Sequence, residues 1–96
     1  MLKLYHHQTF IGTVSGVCAN GFDMHGLIDF GPEAAPFKPI FEYFQKRERP
    51  SSEEPPFDED LLWNWSMTDE AGKRQEVGLP GVFEESDGIH VMWRWL

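Results

Sequence analysis

Apolar and polar residues alternate with a period of two along most of the chain, as they do in strands that bury one face. Leu2-Lys3-Leu4-Tyr5-His6 is one short run of this kind. A second covers 10–19, where Thr13, Val14 and Val17 supply β-branched residues and Gly12 and Gly16 mark bends or bulges. Asn20-Gly21 reads as a two-residue type I′ turn, because both central residues of that turn need positive φ. The third strand covers 22–30 and stops at Gly31-Pro32. This turn sets Ala19 opposite Phe22, Val17 opposite Met24, Thr13 opposite Ile28 and Ile11 opposite Phe30, giving one apolar face. The other face carries Phe10, Val14, Cys18 and Leu27 with Asp23, His25 and Asp29, and a one-residue slip would exchange the two.

The period changes at 36–44. Phe37, Ile40, Phe41 and Phe44 fall at i, i+3, i+4 and i+7, so an amphipathic helix is predicted with an aromatic stripe that needs an apolar sheet face to cover. Pro36 or Pro39 fits its first turn, where a missing N–H has no partner to lose. Its end is expected at Arg47 to Arg49, ahead of Pro50. Residues 50–57 are Pro-, Ser- and Glu-rich without apolar periodicity, and a mobile acidic surface loop is expected there.

Residues 57–65 fit two templates. Pro56 followed by Asp58, Glu59 and Asp60 could open a helix, whose N-terminus favours acids. Leu61, Trp63, Trp65 and Met67 alternate with Leu62, Asn64, Ser66 and Thr68, which favours a strand over 61–68. Asp69-Glu70-Ala71-Gly72 is a hairpin loop, and 74–83 is a weaker strand interrupted at Gly78, Pro80 and Gly81. The last strand covers 89–96, with Ile89, Val91, Trp93 and Trp95 on one face. A three-residue Ser86-Asp87-Gly88 loop before it sets Phe83 opposite Val91, whereas an Asp87-Gly88 turn would set Glu84 there, so the longer loop is preferred. The fold class is α+β, a single domain over 1–96. It comprises a curved antiparallel sheet or partial barrel of five to six strands with one helix on one face, in the order βββαβββ.

Charge narrows the partners. Sixteen acidic and eight basic side chains leave a formal charge of −8. That charge repels phosphate backbones and anionic membranes over a screening length of about 8 Å. Only Lys46, Arg47 and Arg49 cluster among the basic residues, at the expected helix C-terminus where they complement its dipole, so no nucleic-acid or membrane partner is expected. Cys18 is the single cysteine, which leaves no internal disulfide. Met1 leads directly into a strand pattern without a long apolar run, and a cytoplasmic location is the expectation.

The candidate chemistry is sparse. Trp63-x-Trp65 and Trp93-x-Trp95 each place two indoles on one strand face, either as core or as an aromatic interaction surface. Asp23, His25, Asp29 and Cys18 form a weak polar cluster, with Cys18 opposite Asp23, that holds the residue types of nucleophilic catalysis but no evident oxyanion donor. Adjacent His6 and His7 on a strand point to opposite faces and so do not share a metal, although His25 or His90 could join one of them. No metal-ligand spacing, phosphate loop or nucleophile motif is present, so no catalytic residue, metal or cofactor is expected. The acidic run Glu53, Glu54, Asp58, Glu59, Asp60 reads as a solvated loop or as a docking surface for a basic partner.

Gly12-x-Val14, Phe22, Asp29-Phe30-x-Pro32, Phe37-x-Pro39-x-Phe41, Asp69-x-x-Gly72 and Trp93-Arg94-Trp95 occur in that order. Together they resemble a group of small uncharacterised bacterial proteins of unknown function. The resemblance implies a bacterial cytosolic origin and brings no activity or site residue. The expected function is non-enzymatic, a protein-interaction module that binds a protein partner or a second copy of itself. A small-ligand module with an aromatic pocket is the alternative.

Overall fold

Most of the two-residue alternation becomes strand, and the breaks at Gly21, Gly72 and Gly78-Leu79-Pro80 become turns or a change of sheet position. A computed structural model of the chain describes residues 1–45 and 59–96. Among them are seven strands, β1 Leu2–His6, β2 Thr9–Asn20, β3 Asp23–Phe30, β4 Trp65–Thr68, β5 Arg74–Val77, β6 Gly81–Glu85 and β7 Gly88–Trp93. One α-helix, α1, covers Lys38–Gln45, and 3₁₀ helices cover Pro32–Phe37 and Glu59–Leu62. The strands form one antiparallel sheet in the order β5-β4-β1-β2-β3-β7-β6. The class is therefore α+β with an antiparallel sheet, as expected, but with seven strands in place of five to six and a different strand order. The helix end expected at Arg47 to Arg49, the basic cluster there, the 50–57 loop, Glu53, Glu54 and Asp58 of the acidic run, and the ring of Phe44 lie outside the described residues.

The extra strand arises where 74–83 was expected to be one interrupted strand. Gly78-Leu79-Pro80 carries the chain from β5 at one edge of the sheet to β6 at the other. Four Cα–Cα steps from Val77 to Gly81 span at most about 15 Å, whereas the edges of a flat seven-stranded sheet would lie roughly 29 Å apart at about 4.8 Å per neighbour. The sheet must therefore curl, and its two ends approach. The residues after β7 complete the approach: Val77 bridges Trp95, the Gly78 N–H donates to the Arg94 carbonyl at 2.9 Å, and the Leu96 N–H donates to the Glu76 carbonyl at 3.1 Å. The sheet is not closed, because β6 pairs with β7 alone.

The registers also differ from expectation. At the β2–β3 hairpin, Asn20 stays in the ladder opposite Asp23, and Gly21-Phe22 makes the turn. Only Gly21 needs positive φ (69°), the requirement of a type II′ turn, so Asn20 is not drawn into the turn. Cys18 consequently faces His25, not Asp23. A bulge between Ser15 and Cys18, with Gly16 at φ 60°, then shifts the frame by one, so Val14 faces Ile28. Val14 is fully buried, while Val17 and Phe22, expected on the floor, are exposed. In the β6–β7 hairpin the turn is Ser86-Asp87, with Gly88, expected in the loop, already in the ladder opposite Glu85. Val82 thus faces Val91 and Phe83 faces His90, which still sets apolar against apolar in the core.

The concave face holds the core. Leu4, Ile11, Val14, Ile28, Met67, Val91 and Trp93 line it, and Phe37, Ile40 and Phe41 cover it. Phe41 stacks on Phe30 and tilts against Trp65, with centroids 5.8 and 5.7 Å apart. The stripe therefore packs as expected, although Phe37 belongs to the 3₁₀ turn and α1 starts at Lys38. No helix among the described residues is long and apolar enough to cross a membrane.

Candidate functional site

The segment between the second 3₁₀ helix and β4 is where backbone strain, histidines and an exposed indole meet. A strand was expected from 61, but the chain turns through Glu59–Leu62 and enters β4 only at Trp65. Asn64 takes φ 69° and His7, just past the end of β1, takes φ 52°. The left-handed region is uncommon outside glycine, though Asn and His enter it more readily than most residues. The two strained residues are joined, since the His7 N–H donates to the Asn64 carbonyl at 2.9 Å. Arg74 adds a second tie, donating from Nη1 to the His7 carbonyl at 2.9 Å.

This backbone geometry overturns the expectation that His6 and His7 diverge. His6 ends β1 with its ring turned into the core, between Phe37 and Trp65 at centroid distances of 5.1 and 5.0 Å. Because His7 has left the extended conformation, its ring comes back beside His6, centroids 4.7 Å apart. Asp60 faces both. Its Oδ2 lies 3.2 Å from His7 Nε2 and 4.0 Å from His6 Nε2, while its Oδ1 accepts from Asn64 Nδ2 at 3.1 Å. Sequence reading placed Asp60 in an acidic run and at a possible helix start. The Asp60-x-x-x-Asn64 spacing was legible, but its position beside His6 and His7 comes from the β1–β4 pairing.

Trp63 points the other way. It is 64% exposed and stands at the rim of a groove of about 490 Å³ lined by Leu62, Val77, Leu79 and Leu96. The four tryptophans, read either as core or as an interaction surface, are thus divided. Trp65 and Trp93 are core residues and Trp95 is half-buried against them, which leaves Trp63 as the one indole presented to solvent. Trp65 is buried because it faces inward from β4, and its indole N–H donates to the Leu61 carbonyl at 2.8 Å.

The weak polar cluster lies on the convex face. Cys18 Sγ is 3.1 Å from His25 Nε2, and the thiol is exposed. Asp23 accepts from Arg94 Nε at 3.1 Å, and Asp29 is exposed near the far end of β3, opposite Thr13. The structure therefore brings Cys18 and His25 together and directs neither carboxylate to them. His90 lies on the same face, stacked on Phe83, and donates from Nε2 to Asp87 Oδ1 at 2.7 Å. Cys18 and His25 offer a nucleophile and a base, but they sit on opposed ladder positions. Backbone N–H groups in a strand lie in the sheet plane, directed along the ladder and away from a thiol above it.

No protein-family model, curated protein or solved structure matches this chain.

Proposed function

We propose that this protein is a non-enzymatic protein-interaction module whose contact surface is the groove beside Trp63. The observation that carries the reading is the 64% exposure of Trp63 at the rim of an apolar concavity. A large indole left in water beside an unfilled apolar groove is the composition of an interface hot spot. Strand addition is the less favoured mode. The edge strands present Arg74-Gln75-Glu76 and Glu84-Glu85 to solvent, and charged edges discourage pairing with another strand.

The partner is a protein segment that inserts an aliphatic or aromatic anchor and carries basic flanks. Glu76 lies at the groove, and the net charge of −8 steers basic partners inward and opposes a second copy of the same chain. A small apolar ligand is the second reading, since about 490 Å³ lies within the range of ligand pockets. Titration with basic peptides bearing a central Leu or Trp tests the proposal. Trp63→Asp should weaken binding by about 30-fold or more, the loss of a hot spot of roughly 2 kcal/mol. Equal binding by Trp63→Asp, or a wild-type protein that ignores the peptides and stays monomeric in light scattering, overturns it. A response to small apolar molecules alone selects the second reading.

A further inference from the structure

We propose that His6, His7 and Asp60 form a binding site for a single divalent transition-metal ion of the zinc class. Two imidazole nitrogens and one carboxylate oxygen converge there, all within 4.8 Å of one another. That donor set suits zinc and its neighbours, whereas calcium and magnesium select oxygen ligands. Ligands about 2.0–2.1 Å from a tetrahedral ion lie roughly 3.3 Å apart. The His7–Asp60 pair already stands at 3.2 Å and the His6–Asp60 pair at 4.0 Å.

The three ligands divide into one fixed and two adjustable. The His6 side chain is 6% exposed and held between aromatic rings, so its nitrogen is a rigid anchor. The side chains of His7 and Asp60 are 53% and 61% exposed and can close on an ion by the remaining ~1.5 Å or less. Water or an exogenous group then has access to a fourth position from the solvent side.

The donor atoms exchange their present hydrogen bonds for an ion. Asp60 Oδ1 is taken by Asn64, which orients the carboxylate and turns Oδ2 toward both histidines. Such an outer partner fixes ligand geometry at metal centres. His6 Nε2 lies 3.2 Å from the Asp60 carbonyl, and coordination would end that contact. The carbonyl keeps a donor, because the Trp63 N–H also reaches it at 3.2 Å. Binding an ion therefore leaves this carbonyl with a partner, which avoids the usual cost of breaking a hydrogen bond there. The paired left-handed residues His7 and Asn64 hold the ligand-bearing segments together at a strained position, where function often resides. None of the three ligands lines the Trp63 groove, so this site stands whether or not the groove binds a partner.

Calorimetric titration of the metal-free folded protein with Zn²⁺, and visible absorption with Co²⁺, test the site. One ion should bind per chain, and Mg²⁺ and Ca²⁺ should give no heat. His7→Gln and Asp60→Asn, both at exposed positions, should abolish binding or weaken it at least 100-fold. Asn64→Ala should weaken it by about 10- to 100-fold, the range for losing an outer-sphere partner. Cys18→Ser should leave it unchanged, since that thiol belongs to the convex face. No Zn²⁺ or Co²⁺ binding by the wild type overturns the proposal. Binding that survives both ligand substitutions, or is lost in Cys18→Ser alone, does so too.

Discussion

The two W-x-W triplets have the same spacing and different fates. In 93–95 the chain runs from β7 into the Val77–Trp95 bridge, and both indoles stay with the core, their rings edge-to-face at 5.8 Å. In 63–65 the middle residue, Asn64, takes φ 69°, so Trp65 enters β4 facing inward while Trp63 is turned out to water. Spacing of two places residues on one face only if the residue between them is extended. Asn64 is held outside the extended region by one contact remote in sequence, its carbonyl tied to His7, and by one local contact, its side chain tied to Asp60. The difference between the triplets thus depends on the His7–Asn64 contact, and that contact together with the local Asn64–Asp60 bond assembles the histidine–aspartate cluster.

The comparison breaks most visibly through large truncations. Trp65→Ala should cost about 3–5 kcal/mol in denaturant melts, the range for emptying a buried aromatic site, and Phe41→Ala, which tilts against it, should cost a similar amount. Trp63→Ala should stay within about 0.5 kcal/mol, as exposed substitutions do. A loss below about 1 kcal/mol at Trp65 would remove it from the core and erase the contrast.

Smaller changes sharpen it. The Trp65 indole N–H has a partner in the Leu61 carbonyl, whereas the Trp93 indole N–H is buried with none among the described residues. Phenylalanine at either position loses ring volume, but only at Trp65 does it also lose a hydrogen bond. Trp65→Phe should therefore be the more destabilising by about 1 kcal/mol. Equal losses in matched melts would mean that both indoles are satisfied alike.

Local pattern carried part of this structure and tertiary contacts carried the rest. The helix stripe was legible because Phe37, Ile40 and Phe41 repeat at helical spacing and have a sheet face to cover. The hairpin between β2 and β3 was legible too, but not its register. Asn20-Gly21 satisfies a type I′ turn, Gly21-Phe22 satisfies type II′, and the ladder beyond decides between them. Gly78, Pro80 and Gly81 marked the break between β5 and β6, yet the destination of the chain depends on how far the whole sheet curls. Hardest to read was the site. His6 and Asp60 are 54 residues apart, and His7 joins them only by leaving the extended geometry that a strand reading assigns it.

The smallest effect lies in the hairpin that leads into the second triplet. The Asp87 carboxyl is held below its ordinary value of 3.8, chiefly by the hydrogen bond from His90, with partial desolvation opposing the shift. A carboxyl whose folded value is depressed favours folding above its unfolded value, and that contribution disappears as the pH falls through the folded value. Wild type should therefore be the more stable near neutrality, and its advantage over Asp87→Asn should shrink as the pH falls from about 5 to about 2. The group is fully exposed, so water and salt weaken the pair and the change is slight. Melts of both proteins across that range, at low ionic strength, measure it. An advantage that does not vary with pH would show that the Asp87–His90 bond does not steady this turn, and that the register of the strand bearing Trp93 is set by its pairings with β6 and β3.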